Sequence, residues 1–284
     1  MSLQLQNVSF YYESGGERKQ ALRNLSLEIG SNELIGLVGQ TGSGKSTLLQ
    51  LLNGLERPWE GRVLLDGRDV AAKDFSRKEL CGRVGLVFQY PEHQLFGATV
   101  VEDVQFGPRN LGWEPLEVEL SAFQALKDVG IGEDLLDVSP LALSGGQKRR
   151  VALAGVLAMK PEYLILDEPM AGLDPAGRRE VFQMLLKLHR ERNMSILFVS
   201  HSMEDVAEYA ERVIVMHQGK VVLDGAARQI FRFEKELEQI GLRVPQTARF
   251  MHRLRDDGFP LKEECITPQE AVECILRQRG KSVR

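Results

Sequence analysis

The chain has 284 residues, 43% of them apolar and 27% charged, a composition that supports one large or two modest folded domains and argues against a disordered chain. Its net charge of −4 gives no bulk electrostatic reason to bind nucleic acid or an anionic membrane. No run of about 18 apolar residues occurs that could span a bilayer, and "MSLQLQNVSF" lacks the charged-then-apolar pattern of a secretory segment, so a cytosolic chain is expected.

The first 30 residues and "GRVLLD" (61–66) alternate apolar with polar residues, as in a half-exposed antiparallel sheet. "LIGLVG" (34–39) is instead continuously apolar, the pattern of a parallel strand buried on both faces, and a helix is expected from Lys45 to Leu55. A second such strand, "VGLVF" (84–88), follows. From about 92 to 158 the strand pattern is interrupted; helix-length segments around 115–129 and from Gly145 to Met159 predict an inserted helical subdomain. "YLILD" (163–167), a helix from Pro175 to Arg192 and "SILFVS" (195–200) then resume the alternation of an α/β sheet with helices on its faces. "VIVMHQGKVVLDG" (213–225) predicts a hairpin turning at Gln218-Gly219. Beyond Gly225 the sequence becomes charged and helix-prone. Ile230, Phe231, Leu237, Ile240 and Leu242 recur there at helical intervals, and residues 229–284 are expected to form an accessory region that serves assembly and dimerisation. Cys81, Cys265 and Cys274 are too few and too scattered for a disulfide framework or a zinc site, and are read as reduced.

Four motifs carry chemistry. "GQTGSGKST" (39–47) follows a buried strand and opens a helix, the context in which G-x-x-x-x-G-K-[ST] forms a phosphate-binding P-loop. Gly39, Gly42 and Gly44 let the backbone curl so that its N–H groups face phosphate, Lys45 reaches the β- and γ-phosphates, and Ser46 is placed to ligate Mg²⁺. "YLILDEP" (163–169) ends a strand in two adjacent carboxylates. Strand side chains alternate, so the two have different tasks: Asp167 to hold Mg²⁺, directly or through water, and Glu168 to take a proton from the attacking water. His201 and Gln89 each follow a buried strand at the edge where parallel sheets bind ligands, His201 as a γ-phosphate contact. Finally, Ser144, Gly145 and Gly146 in "LALSGGQKRRVALAGVLA" open a helix whose N-terminus favours an anion.

Taken together, "GQTGSGKST", "VFQ", "LSGGQ", "LILDEP", "GLDP" and "VSH" occur in the order and spacing of the ATP-binding cassette (ABC) ATPases, a resemblance that covers residues 1 to about 228. It implies a P-loop NTPase fold with a RecA-like α/β core, an antiparallel β subdomain, an inserted α-helical subdomain and, here, a C-terminal helical extension. It also implies ATP and Mg²⁺ as ligands. The nucleotide would be held by Gly39, Gln40, Thr41, Gly42, Ser43, Gly44, Lys45, Ser46 and Thr47, with Tyr12 stacked on adenine, Tyr11 being the other candidate. Ser144, Gly145, Gly146 and Gln147 would bind the ATP on the P-loop of a second subunit, identical or a sibling, in a head-to-tail dimer. Asp174 would cross that interface, and Gln89 would contact Mg²⁺ or the lytic water and relay to a membrane partner.

The flanks narrow the resemblance. "FQYPEHQLFGATVVEDVQFGPRNLG" (88–112), "LAGVLAMKPEYLILDEPMAGLDPAGRRE" (153–180) and the C-terminal extension are similar to ATPase subunits of energy-coupling factor (ECF) transporters, importers of cobalt, nickel and vitamins, and "EPMAGLDP" fits the second of two ATPase siblings better than the first. The partners implied are a transmembrane scaffold (T component) and a substrate-binding membrane protein (S component), with no nucleic acid, at the cytoplasmic face of the membrane. An ATPase of another ABC importer or exporter, and a non-transport ABC protein, are the alternatives. Long coiled-coil insertions or a second cassette, usual in the latter, are not present.

Overall fold

The structure, a computed structural model, describes residues 2–259, 261 and 263–278. Two sheets organise it. The first is antiparallel, in the order β2-β1-β4-β5, from β1 (Leu3–Ser14), β2 (Glu17–Ile29), β4 (Glu60–Leu65) and β5 (Arg68–Asp69). The second has six strands in the order β10-β9-β3-β8-β7-β6: β3 (Leu34–Gly39), β6 (Val84–Val87), β7 (Tyr163–Leu166), β8 (Ser195–Val199), β9 (Arg212–His217) and β10 (Lys220–Ala226). All of its neighbours pair in parallel except β9 and β10, the hairpin, which turns at Gln218 and Gly219.

The continuously apolar runs are explained by burial on both faces. On one face Ile35, Leu37, Ile165, Leu197, Val199 and Ile214 pack with the antiparallel sheet and with Leu48, Leu49, Leu51 and Leu52 of α1 (Lys45–Leu52). On the other, Leu34, Val38, Leu164, Leu166, Ile196 and Phe198 meet the helical layer. That layer holds α3 (Val100–Leu111), α4 (Pro115–Asp128), α5 (Gly145–Leu157), α6 (Pro175–Arg192) and α7 (Met203–Tyr209), while the short α2 (Arg77–Arg83) precedes β6. Helix α1 stops three residues before the expected Leu55, because Gly54 takes a left-handed φ of 75°. Helix α5 stops short of Met159 in the same way, before left-handed Lys160 and Pro161.

The C-terminal part is helical, in α8 (Ala227–Ile230), α9 (Glu234–Gln239), α10 (Gln246–Asp256) and α11 (Pro268–Gln278). Its apolar stripe is not an external assembly face: Ile230, Phe231, Leu237 and Leu242 are buried in the same core as the helical layer, with Ile240 packed against it. Helical periodicity reports a buried face without saying whether the cover is the same chain or another, and here it is the same chain. A second anchor is the buried Glu264, whose carboxylate accepts from His252 Nε2 at 2.5 Å and Arg255 Nη2 at 3.1 Å. Phe231→Ala should therefore destabilise the whole cassette by about 3–5 kcal/mol, the range for a large buried aromatic. Chemical denaturation should show that loss, and a variant as stable as the parent would mean that the region is only appended.

Candidate active site

Four neighbouring parallel strands, β3, β8, β7 and β6, end at one edge, and each delivers a predicted functional group there. The loop after β3 enters α1 through Gly44, whose φ of 104° is left-handed. A Cβ there would stand 2.8 Å from the Ala21 carbonyl oxygen, so both backbone and space require glycine. Gln40, Thr41 and Gly42 are exposed at the rim. Ser43 turns inward: its hydroxyl is buried beside Gly39 without a hydrogen-bond partner among the described residues, and its N–H donates to Gln40 O at 3.1 Å.

Lys45 is buried, and its Nζ donates to the carbonyls of Gly39 at 2.7 Å and Gln40 at 3.1 Å. Burial pushes its pKa below the ordinary lysine value, against the opposing pull of Glu168 and Asp167. Beside it Ser46 Oγ donates to Asp167 Oδ2 at 3.2 Å. Burial pushes the Asp167 pKa upward, more than the Ser46 hydrogen bond lowers it; neighbouring Glu168 adds to the rise, and Lys45 and His201 oppose it. A hydroxyl and a carboxylate converging at a desolvated edge form a hard-oxygen set suited to Mg²⁺.

Glu168 takes a left-handed φ of 49°, uncommon for a residue with a side chain and a mark of a constrained position. That turn separates it from Asp167. Its Oε2 accepts from Gln89 Nε2 at 3.1 Å, and its Oε1 accepts from His201 Nε2 at 2.7 Å. One carboxylate thus joins the groups following β6, β7 and β8. Tyr12 lies beside α1, its hydroxyl 3.1 Å from Thr47 Oγ1 and 3.2 Å from Gln50 Oε1, whereas Tyr11 packs edge-on against Trp59 and its hydroxyl meets Gln20. Only Tyr12 is tied to the P-loop helix.

The remaining predicted residues form other contacts. Ser144 caps α5 in a reciprocal box: its Oγ accepts from Gln147 N at 3.3 Å, and Gln147 Oε1 accepts from Ser144 N at 2.9 Å. Asp174 caps α6, accepting from Gly177 N at 2.8 Å. A Cβ added to Gly145 or Gly146 would meet nothing within 4 Å, and neither has a positive φ. Among the described residues nothing requires glycine at either position.

Two further residues, Glu92 and Arg149, connect these parts. Arg149 of α5 holds Glu92 through Nη2 at 3.0 Å and donates to the Ala171 carbonyl at 2.8 Å, so the segment after Gln89, helix α5 and the turn before Asp174 share one guanidinium. Burial alone would raise the Glu92 pKa, but the Arg149 hydrogen bond, a backbone hydrogen bond and the nearby positive charge together outweigh it and hold the carboxyl below the usual value. No spacing in the sequence reveals this pair, whose members are 57 positions apart.

The family model described as ABC transporter matches residues 22–171. The chain is 48% identical over 278 residues to the energy-coupling factor transporter ATP-binding protein EcfA2 of Caldanaerobacter subterraneus subsp. tengcongensis, covering 98% of this chain and 97% of that one. It is 50% identical over 276 residues to EcfA2 of Symbiobacterium thermophilum, covering 97% and 96%. Among solved structures it is similar to cbiO1 from Clostridium perfringens, part of the ABC transporter complex cbiONQ, with a TM-score of 0.72 and 37% identity over 88% of this chain and 98% of that one. It is also similar to the dimeric ATP-binding cassette MJ0796 bound to ADP and Pi, with a TM-score of 0.69 and 31% identity over 79% of this chain and 98% of the other. The P-loop edge, the paired carboxylates and near-full-length similarity to such ATPases together place this chain in the ABC transporter ATP-binding family, within its energy-coupling factor group.

Proposed function

We propose that the chain hydrolyses ATP with Mg²⁺ to power an energy-coupling factor importer of vitamins or transition-metal ions, acting as one half of a head-to-tail ATPase dimer. The observation that carries the chemistry is Glu168, held by Gln89 and His201 beside the buried Lys45. Lys45 leaves two backbone carbonyls to meet the β- and γ-phosphates, a favourable exchange for a desolvated cation. Mg²⁺, held by Ser46 and Asp167 with Gln89 near, would neutralise charge on the phosphates. Glu168 accepts the proton of the attacking water, and His201 contacts the γ-phosphate and orients the Glu168 carboxylate. Tyr12 supplies the adenine platform.

Gly145 and Gly146 support the dimer. Since this chain's own packing leaves both open, the absence of side chains there serves a molecule that approaches from outside. The capped N-terminus of α5, with its positive dipole end, suits the γ-phosphate of ATP bound to the partner's P-loop.

The remaining partner is a membrane protein. Among the described residues no helix is long and apolar enough to cross a bilayer; similarity to transporter ATP-binding proteins supports a transport path in other chains. A largely apolar groove of about 670 Å³ between α2, α3 and α5, with Phe96 and Phe106 on its rim, is the surface we assign to a helix of the transmembrane scaffold. Glu92 follows Gln89 in the chain and is held by Arg149 of α5, the helix whose Ala152 and Gly155 line the groove, a short route from groove to active site. This reading places the chain at the cytoplasmic face of the membrane, beside T and S components.

Three measurements test the reading. Glu168→Gln should retain ATP binding while phosphate release at that site falls by about 10²–10⁴, the usual loss of a general base; near-normal turnover would remove the assignment. Tyr12→Ala should weaken ATP binding by about 1–3 kcal/mol, as for a lost base-stacking platform, while Tyr11→Ala should not; fluorescence titration with a nucleotide analogue separates them. Lys45→Ala should abolish photolabelling of its own chain by an azido-ATP. Gly145→Asp should leave its own chain labelled and stop hydrolysis at the partner's P-loop; the reverse pattern would refute binding in trans.

A further inference from the structure

Gly241 follows α9, with a left-handed φ of 71° and its N–H donating to Glu238 O at 3.0 Å, so it is first of all a helix-ending glycine. It is also in contact with the P-loop. A Cβ built on it would lie 1.8 Å from Gln40 Nε2 and 2.9 Å from Gln40 Cδ, so the Gln40 amide lies against the space that a side chain would fill. The Gln40 carbonyl, on the same residue, accepts from Lys45 Nζ. The chain after Gly241 is anchored by buried Leu242 and Val244, and its Gln246 N–H reaches Glu204 Oε1 at 3.4 Å, at the start of α7 just beyond His201. Residues 241–249 thus form one wall of a polar cavity of about 850 Å³, whose other walls are the P-loop rim at Gln40 and Thr41 and the turn carrying Ser200 and His201.

We propose that Gly241 and Gln40 form a positioning contact through which the C-terminal segment 241–249 sets the conformation of the P-loop rim, and with it the ATP affinity of this subunit. The proposal rests on the ATPase reading and adds to it a role for the C-terminal region in the nucleotide site. The physical path is short. The Gln40 side chain rests on Gly241, its main chain holds Lys45, and the wall behind is fixed in the common core. The amide is the far end of an exposed side chain, so a Cβ at Gly241 re-places the polar group that Gln40 presents at the P-loop rim, beside the main-chain carbonyl that partners the Lys45 ammonium. A shift of the C-terminal region, as on assembly with other subunits, would reach the nucleotide along the same path.

A double-mutant cycle in the full-length chain within its purified transporter tests this. Gly241→Ala should raise KM for ATP about fivefold with kcat within about twofold, a coupling of the size seen between touching residues. Gln40→Ala sets its own baseline, and adding Gly241→Ala to it should change KM by less than about twofold, because the clash has been removed. The cost of ending α9 with alanine is the same in both backgrounds, so rescue isolates the contact from folding. Gly241→Asn, which tolerates the left-handed turn yet carries a Cβ, should reproduce the rise in KM at unchanged melting temperature. Equal effects of Gly241→Ala in both backgrounds, or no effect in either while the parent turns over normally, would overturn the contact and leave the ATPase reading intact. A parent complex that fails to hydrolyse ATP would overturn both.

Discussion

The buried ammonium of Lys45 is the interaction around which the active edge is arranged. A desolvated cation is costly unless charge or dipoles compensate it. Here the carbonyls of Gly39 and Gln40 accept its hydrogen bonds, and Asp167 and Glu168 supply the opposing charge. Those carbonyls face inward only because the loop curls through left-handed Gly42 and Gly44, and the carboxylates face the loop only because β7 ends beside β8, the neighbour of β3. The arrangement is poised for exchange. On the proposed function, a polyphosphate would bring more negative charge to Lys45 than two carbonyl dipoles do, and binding would replace a compromise with a strong pair.

The sheet order turns distant positions into neighbours. Gln89, Glu168, His201 and the loop from Gly39 lie far apart in sequence, yet they follow four adjacent parallel strands and share one edge. Sequence separation is bridged by the helices between strands, as parallel pairing requires. The same helical layer holds α5, whose N-terminus is capped by Ser144 and Gln147 and is, on the proposed function, the second phosphate-facing element. A capped helix end with two open glycines is then available to another subunit, and Arg149 links it to the segments around Glu92 and Ala171.

Much of this was legible in the sequence because strong local signals coincide with the functional ones. The apolar runs at 34–39 and 163–167, the glycines of the P-loop and the hairpin at Gln218-Gly219 are local features, and local features survive reading without a structure. Contacts between remote side chains are not of that kind. The pairing of Arg149 with Glu92, the support of Tyr12 by Thr47 and the seat of Gln40 on Gly241 depend on which elements pack together. The apolar stripe from Ile230 to Leu242 shows the same limit from the other side. Its periodicity announced a buried face, but the cassette core itself, not a second subunit, covers it.

The most direct measurement is a structure of the assembled transporter determined with ATP and Mg²⁺. The account requires Lys45 Nζ to have left the Gly39 and Gln40 carbonyls for the β- and γ-phosphates. It also requires Glu168, Gln89 and His201 to surround the γ-phosphate, and the α5 N-terminus of the companion ATPase to close the site. A nucleotide bound with Lys45 still on its carbonyls, or with Ser144 to Gln147 of its own chain on the γ-phosphate, would contradict it.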